Sequence, residues 1–139
     1  MNKRFKTSIQ MIADYDNDYA KLFNVNINGD LPILATRNMA LFPGVIAPIV
    51  IGRRKSLNLL KHVNDLEDPV FAVFCQKDSK VENPEEKDLF HYGVYARLMK
   101  VLDMPGPGNN VTAIVQAMGR CELVGIKRAN PYLWGEVKM

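Results

Sequence analysis

The 139-residue sequence predicts a mainly β domain of about six strands with one covering helix. Three observations carry that reading. Short runs rich in β-branched and aromatic residues recur between turn signals. Only one stretch, 53–66, changes to a helical period. Strands do not alternate with helices, which argues against a doubly wound sheet and for a small, mostly antiparallel barrel or sandwich with a helix over one end.

Residues 1–30 form a separate tract that mixes Lys, Asn and Asp with Phe5, Tyr15, Tyr19 and Phe23. Its apolar periodicity is weak and its last seven residues, NVNINGD, are turn-like, so it reads as an extension, partly helical at most. The remainder, 31–139, reads as one domain. Residues 31–37 form a first strand, with Pro32 near its start, where a missing N–H is tolerated. Pro43 presets φ and Gly44 accepts a positive φ, which makes Phe42-Pro43-Gly44 a turn. The run VIAPIVIG at 45–52 is a second strand; its apolar character on both sides predicts burial on both faces, and Pro48 marks an edge or a bulge.

Leu57, Leu60, Val63 and Leu66 then recur at three-residue steps and give one apolar helical stripe. Ser56 is a candidate N-cap, with a start one turn earlier as the alternative, and Pro69 stops the helix. The continuous apolar run VFAVFC fits a central strand covered on both sides. Residues 76–88 are polar and read as a surface loop. A long strand over 94–104 follows, then the loop PGPGNN and a partner strand over 111–118. Gly119 permits a bend or bulge before the strand resumes at 120–127, and a last strand covers 132–139. The sequence stops inside that strand and so reads as part of a longer protein.

Length allows one sizeable core, since a domain of roughly 150 residues buries about two-thirds of its unfolded surface. Net charge is +3 and only Arg53, Arg54 and Lys55 are consecutive cations, which the charge pattern reads as a solvated helix start. A nucleic-acid interface concentrates charge on one face, and none is visible here. Cys75 and Cys121 lie in apolar runs and read as buried free thiols of a reducing compartment. No signal peptide is present and no apolar run approaches the ~20 residues of a membrane span, so a cytoplasmic location is expected.

No catalytic arrangement emerges. Ser8, Ser56 and Ser79 lie outside any nucleophile elbow. His62 and His91 lack a second ligand at metal spacing, and Gly106 and Gly108 are not followed by the Gly-Lys-Ser/Thr of a phosphate loop. The acidic residues Glu82, Glu85, Glu86 and Asp88 are interleaved with lysines and read as a solvated loop. What remains is apolar side chains in connections: Met39, Leu41, Phe42 and Met104. The plainer reading folds them under to close the barrel ends; the other makes them an adaptable contact surface.

The stretch LPILATRNMALFPGVIAPIVIGRRKS resembles the opening of the N-terminal domain of Lon-family ATP-dependent proteases. The resemblance rests on Leu31-Pro32-Ile33-Leu34, Arg37-Asn38, Phe42-Pro43-Gly44, Pro48-Ile49 and Gly52-Arg53 with Ser56. It continues through VFCQK, Asp88-Leu89-Phe90 with Gly93-Val94, and the Gly119-Arg120 pair, and so covers 31–139. Ala35-Thr36 departs from the family's usual proline. The resemblance implies a PUA-like pseudo-barrel that helps to select unfolded or damaged protein substrates. It implies a cytoplasmic hexameric parent whose ATPase module uses ATP and magnesium and whose proteolytic module carries a Ser-Lys dyad. Neither module lies in this sequence, so the chain itself is expected to be non-catalytic and to need no cofactor. Under the resemblance Met39, Leu41, Phe42, Pro43 and Met104 become the substrate-contact candidates. A freestanding binding adaptor of the same family is the alternative, and a PUA-like RNA-binding domain ranks below it.

Overall fold

The computed structural model describes residues 29–103, 108 and 110–139. Of the extension expected over 1–30, residues 1–28 lie outside the described residues, as does the candidate Met104, while Gly29 and Asp30 belong to the first strand. The elements run β1 (Gly29–Thr36), β2 (Ile46–Ile51), α1 (Arg54–Asn64), β3 (Val70–Cys75), β4 (Tyr92–Asp103), β5 (Val111–Arg128) and β6 (Leu133–Lys138), with a 3-10 turn at Glu86–Asp88.

The sheet order is β2-β5-β4-β3-β1-β6, and β6 pairs back onto β5. Five strands therefore close into a barrel, and β2 hangs on the outside of the first half of β5. The 18-residue β5 makes this possible. Its residues 111–116 pair with β2 and its residues 122–128 with β6. Neighbours are antiparallel except β1 and β3, whose parallel pairing is fed by a crossover that contains β2 and α1. Opposite Tyr95 and Ala96, β5 presents Gly119 and Ala117, leaving Met118 as the extra residue of a bulge.

Strand alternation splits the core in two. Leu31, Ile33, Ala72, Phe74, Cys121 and Val137 fill the barrel. Leu34, Phe71, Val73, Val94 and Val115 point the other way and meet Leu59, Leu60 and Val63 of α1. β3 is thus covered on both faces, as its unbroken apolar run predicts.

Three expectations need correction. β2 is not buried on both faces: Ile46 is 59% exposed and Val50 60% exposed, because the strand lies at the end of the sheet and only Ile49 and Ile51 reach the core. Ser56 does not cap α1; Arg53 occupies the N-cap position without a side-chain cap, and the helix ends at Asn64, leaving Leu66 exposed. The basic run is not wholly solvated either. Arg53 is half-buried and its Nη2 donates to the Ala35 carbonyl at 2.7 Å, tying the helix start to the end of β1. Burial, with Arg37 nearby, lowers its pKa against the opposing pull of Glu82. The polar stretch after β3 is anchored by a buried Gln76, whose amide donates to the carbonyls of Asp78 and Val81.

Candidate functional site

The connection between β1 and β2 is built from local hydrogen bonds. The Thr36 hydroxyl donates to the Met39 carbonyl at 2.8 Å, and Asn38 adopts a φ of 51°. Asn tolerates that left-handed conformation better than most residues do. The Val45 N–H then donates to the Phe42 carbonyl at 3.1 Å, and Gly44 has a φ of 87°. Pro43 and Gly44 thereby make the turn their residue types require. Gly44 N–H donates to Ala117 O and Ala117 N–H to Val45 O, which clamps the turn to β5.

That clamp sorts the candidate residues. Met39 and Leu41 are half-buried and pack against the core beneath α1. Phe42 is 63% exposed, and Pro43 is exposed beside it. From this tip an apolar strip continues through Val45, Ile46, Pro48 and Val50, all exposed. Pro48 pairs with Ile114, and Val50 with Thr112, which in turn faces the exposed Leu102 of β4. The strip therefore spreads across the outer face of three strands. The Val45–Ala117 bond sets the ladder alternation, so that Ala47, Ile49 and Ile51 bond to β5 while Ile46, Pro48 and Val50 turn their backbone groups to the free edge. Pro48 sits where its missing N–H has no partner to lose. Of the exposed residues in this strip, the sequence reading names Phe42 and Pro43 and does not name Val45, Ile46 and Val50. The signal was present in Pro48, since an edge strand leaves part of its surface uncovered.

Several titratable groups have close partners. His91 Nε2 lies 2.7 Å from Glu122 Oε1, and Lys138 Nζ lies 3.6 Å from the other carboxylate oxygen. The hydrogen bond from His91 is the main cause that holds the Glu122 carboxyl below its ordinary range; desolvation opposes it, and the charges of Lys138 and His91 add to the lowering. His62 stacks on Tyr132 at 5.6 Å. Both cysteines are free, and burial pushes the Cys121 thiol up to about 12, far from the range of a nucleophile. Among the described residues no group of three or more His, Cys, Asp or Glu is placed to hold a metal ion, and no helix is long and apolar enough to cross a membrane.

Comparison with known proteins then decides the family. Residues 30–139 match the family model of the ATP-dependent protease La (LON) substrate-binding domain. The chain belongs to this family. Among its relatives, the Lon protease of Porphyromonas gingivalis is 40% identical over 128 residues, which cover 92% of this chain and 15% of the relative. The Lon protease of Parabacteroides distasonis is 38% identical over 125 residues, covering 90% and 15%. The chain thus spans about 15% of the length of these Lon proteases. Among solved structures, the N-terminal domain of Mycobacterium avium complex Lon protease aligns with a TM-score of 0.60 at 19% identity, over 78% of this chain and 53% of that one. The Lon N-terminal domain protein from Xanthomonas campestris aligns with a TM-score of 0.57 at 18% identity, over 78% and 58%. The barrel with its appended strand and covering helix is therefore the Lon N-terminal fold.

Proposed function

We propose that this Lon substrate-binding domain captures unfolded or damaged protein segments for an ATP-dependent Lon-type protease. The observation that carries the proposal is the continuous exposed apolar strip from Phe42 to Val50. Unfolded chains differ from folded ones in presenting apolar side chains, and a contiguous apolar surface patch is the complementary feature. Phe42, Pro43, Ile46 and Val50 make the primary contacts in this reading, and Met39 and Leu41 form the wall behind them. ATP and magnesium belong to the ATPase module, and the Ser-Lys chemistry to the proteolytic module, of a longer, hexameric, cytoplasmic protein.

The test is a polarisation titration with a permanently unfolded, reduced and carboxymethylated protein. The Ile46→Ser/Val50→Ser pair is expected to weaken binding at least fivefold while the circular dichroism stays native. Unchanged affinity in the double variant would remove the strip from the binding surface, and no binding by the wild-type domain would remove the function.

A further inference from the structure

The bulge at Met118 has a chemical consequence. It re-aims the residues that follow, so that Arg120 pairs with Val94 and shares its face of the sheet, while Cys121 turns into the barrel. Val94 belongs to the core beneath α1, and that core runs out under the β1–β2 connection. There a groove of about 180 Å³ opens, with Val73 and Val94 at its floor, Met39, Leu41 and Phe42 along one wall, and Arg120 at its rim. Among the described residues, no ion pair or side-chain hydrogen bond engages the Arg120 guanidinium. The carboxylate two residues along, Glu122, is already held by His91 and Lys138. An apolar groove of side-chain size therefore ends in a positive charge that no described residue pairs with.

We propose that this groove is a peptide subsite that takes one large apolar side chain from a substrate segment carrying an Asp or Glu within one or two residues, whose carboxylate pairs with Arg120. The inference rests on the substrate-capture reading and adds a sequence preference to it. Charge complementarity selects the acidic flank: a lysine there meets a like charge, and a neutral residue leaves Arg120 without a partner. The carboxylate is a side chain's and not a chain terminus, because an unfolded protein offers many interior segments and one C-terminus.

The test uses labelled, end-capped peptides with one central Phe flanked by Asp, Asn or Lys, plus an uncapped peptide that ends one residue after the Phe. The domain is expected to bind the Asp peptide about threefold to fivefold more tightly than the Asn peptide, as befits an exposed ion pair of up to about 1 kcal/mol. The preference should shrink in 0.5 M salt. Arg120→Gln should abolish it, and Arg120→Glu should turn it toward the Lys peptide. Because Arg120 is exposed, both variants should keep the native circular dichroism. Equal binding of the three capped peptides, or an Asp preference that survives Arg120→Gln, would overturn the proposal. So would a preference confined to the uncapped peptide. If the carboxymethylated protein still binds in those cases, the capture reading stands without the acidic preference; if it does not, both readings fall.

Discussion

Gly119 lies against the ring of Tyr95 so closely that a Cβ on residue 119 would sit 2.6 Å from the Tyr95 hydroxyl oxygen and 2.8 Å from Cε1. Tyr95 is buried in the barrel, so its ring has little room to withdraw. Gly119→Ala is therefore expected to destabilise the domain by about 1–3 kcal/mol through overpacking. Urea denaturation should show a lower midpoint at an unchanged slope, and a midpoint equal to wild type would mean that the ring can move aside.

Phe42 and Leu41 are neighbours with opposite surroundings, the first exposed and the second packed on the core. Phe42→Ser should change stability by no more than about 0.5 kcal/mol, as for an ordinary surface position. Leu41→Ser should cost about 1–3 kcal/mol, since it withdraws apolar packing and places a hydroxyl near the core. Thermal melts of the two variants, run beside titrations with the unfolded protein, separate contact from scaffold. Phe42→Ser should lose binding with its melting temperature kept, and the reverse pattern would make Phe42 part of the fold.

The His91–Glu122–Lys138 cluster gives the stability a pH signature. The Glu122 carboxyl is held below its ordinary value of 4.5 in the folded protein, chiefly by the His91 hydrogen bond. A group depressed on folding adds stability above its unfolded pKa, and the contribution disappears as pH falls through the folded value. Glu122→Gln should accordingly melt below wild type at pH 6, and the gap should close as the pH drops from about 5 to below 4. A gap that stays constant down to pH 3 would show that the carboxylate charge contributes nothing.

The two thiols should separate in a labelling experiment. With its pKa near 12, Cys121 is about one part in ten thousand thiolate at pH 8. It is also buried, whereas Cys75 is partly accessible. Iodoacetamide at pH 8, followed by peptide mass spectrometry, should modify Cys75 first and reach Cys121 only in urea. Equal native labelling of both would show that the barrel opens at β5.

Much of this architecture was legible in the sequence because local chemistry and tertiary demand agree. VFAVFC is apolar at every position and is buried on both faces. Pro43 and Gly44 favour a turn with positive φ at the glycine, and that turn forms. Disagreement arises where a run of the same composition lies at an edge: VIAPIVIG looks as apolar as a central strand, Pro48 alone hints at an edge, and pairing order decides that one of its faces stays open. Arg53 was misread for a similar reason. A cation at a helix start is ordinarily solvated, and only the approach of the β1 end, through the Ala35 carbonyl, draws it inward. The groove below Phe42 was illegible, since Val73, Val94 and Arg120 are brought together by strand register and one bulge.

One pairing has mechanical meaning. Gly29 at the start of β1 lies opposite Val137 near the end of β6, in an antiparallel ladder that runs inward to Ile33 and Leu133. Tension applied between the stretch before Gly29 and the stretch after Val137 acts across the strands and loads one hydrogen-bonded pair at a time. The seam unzips from that end at low force, whereas pulling along the strands would shear all five registered pairs together.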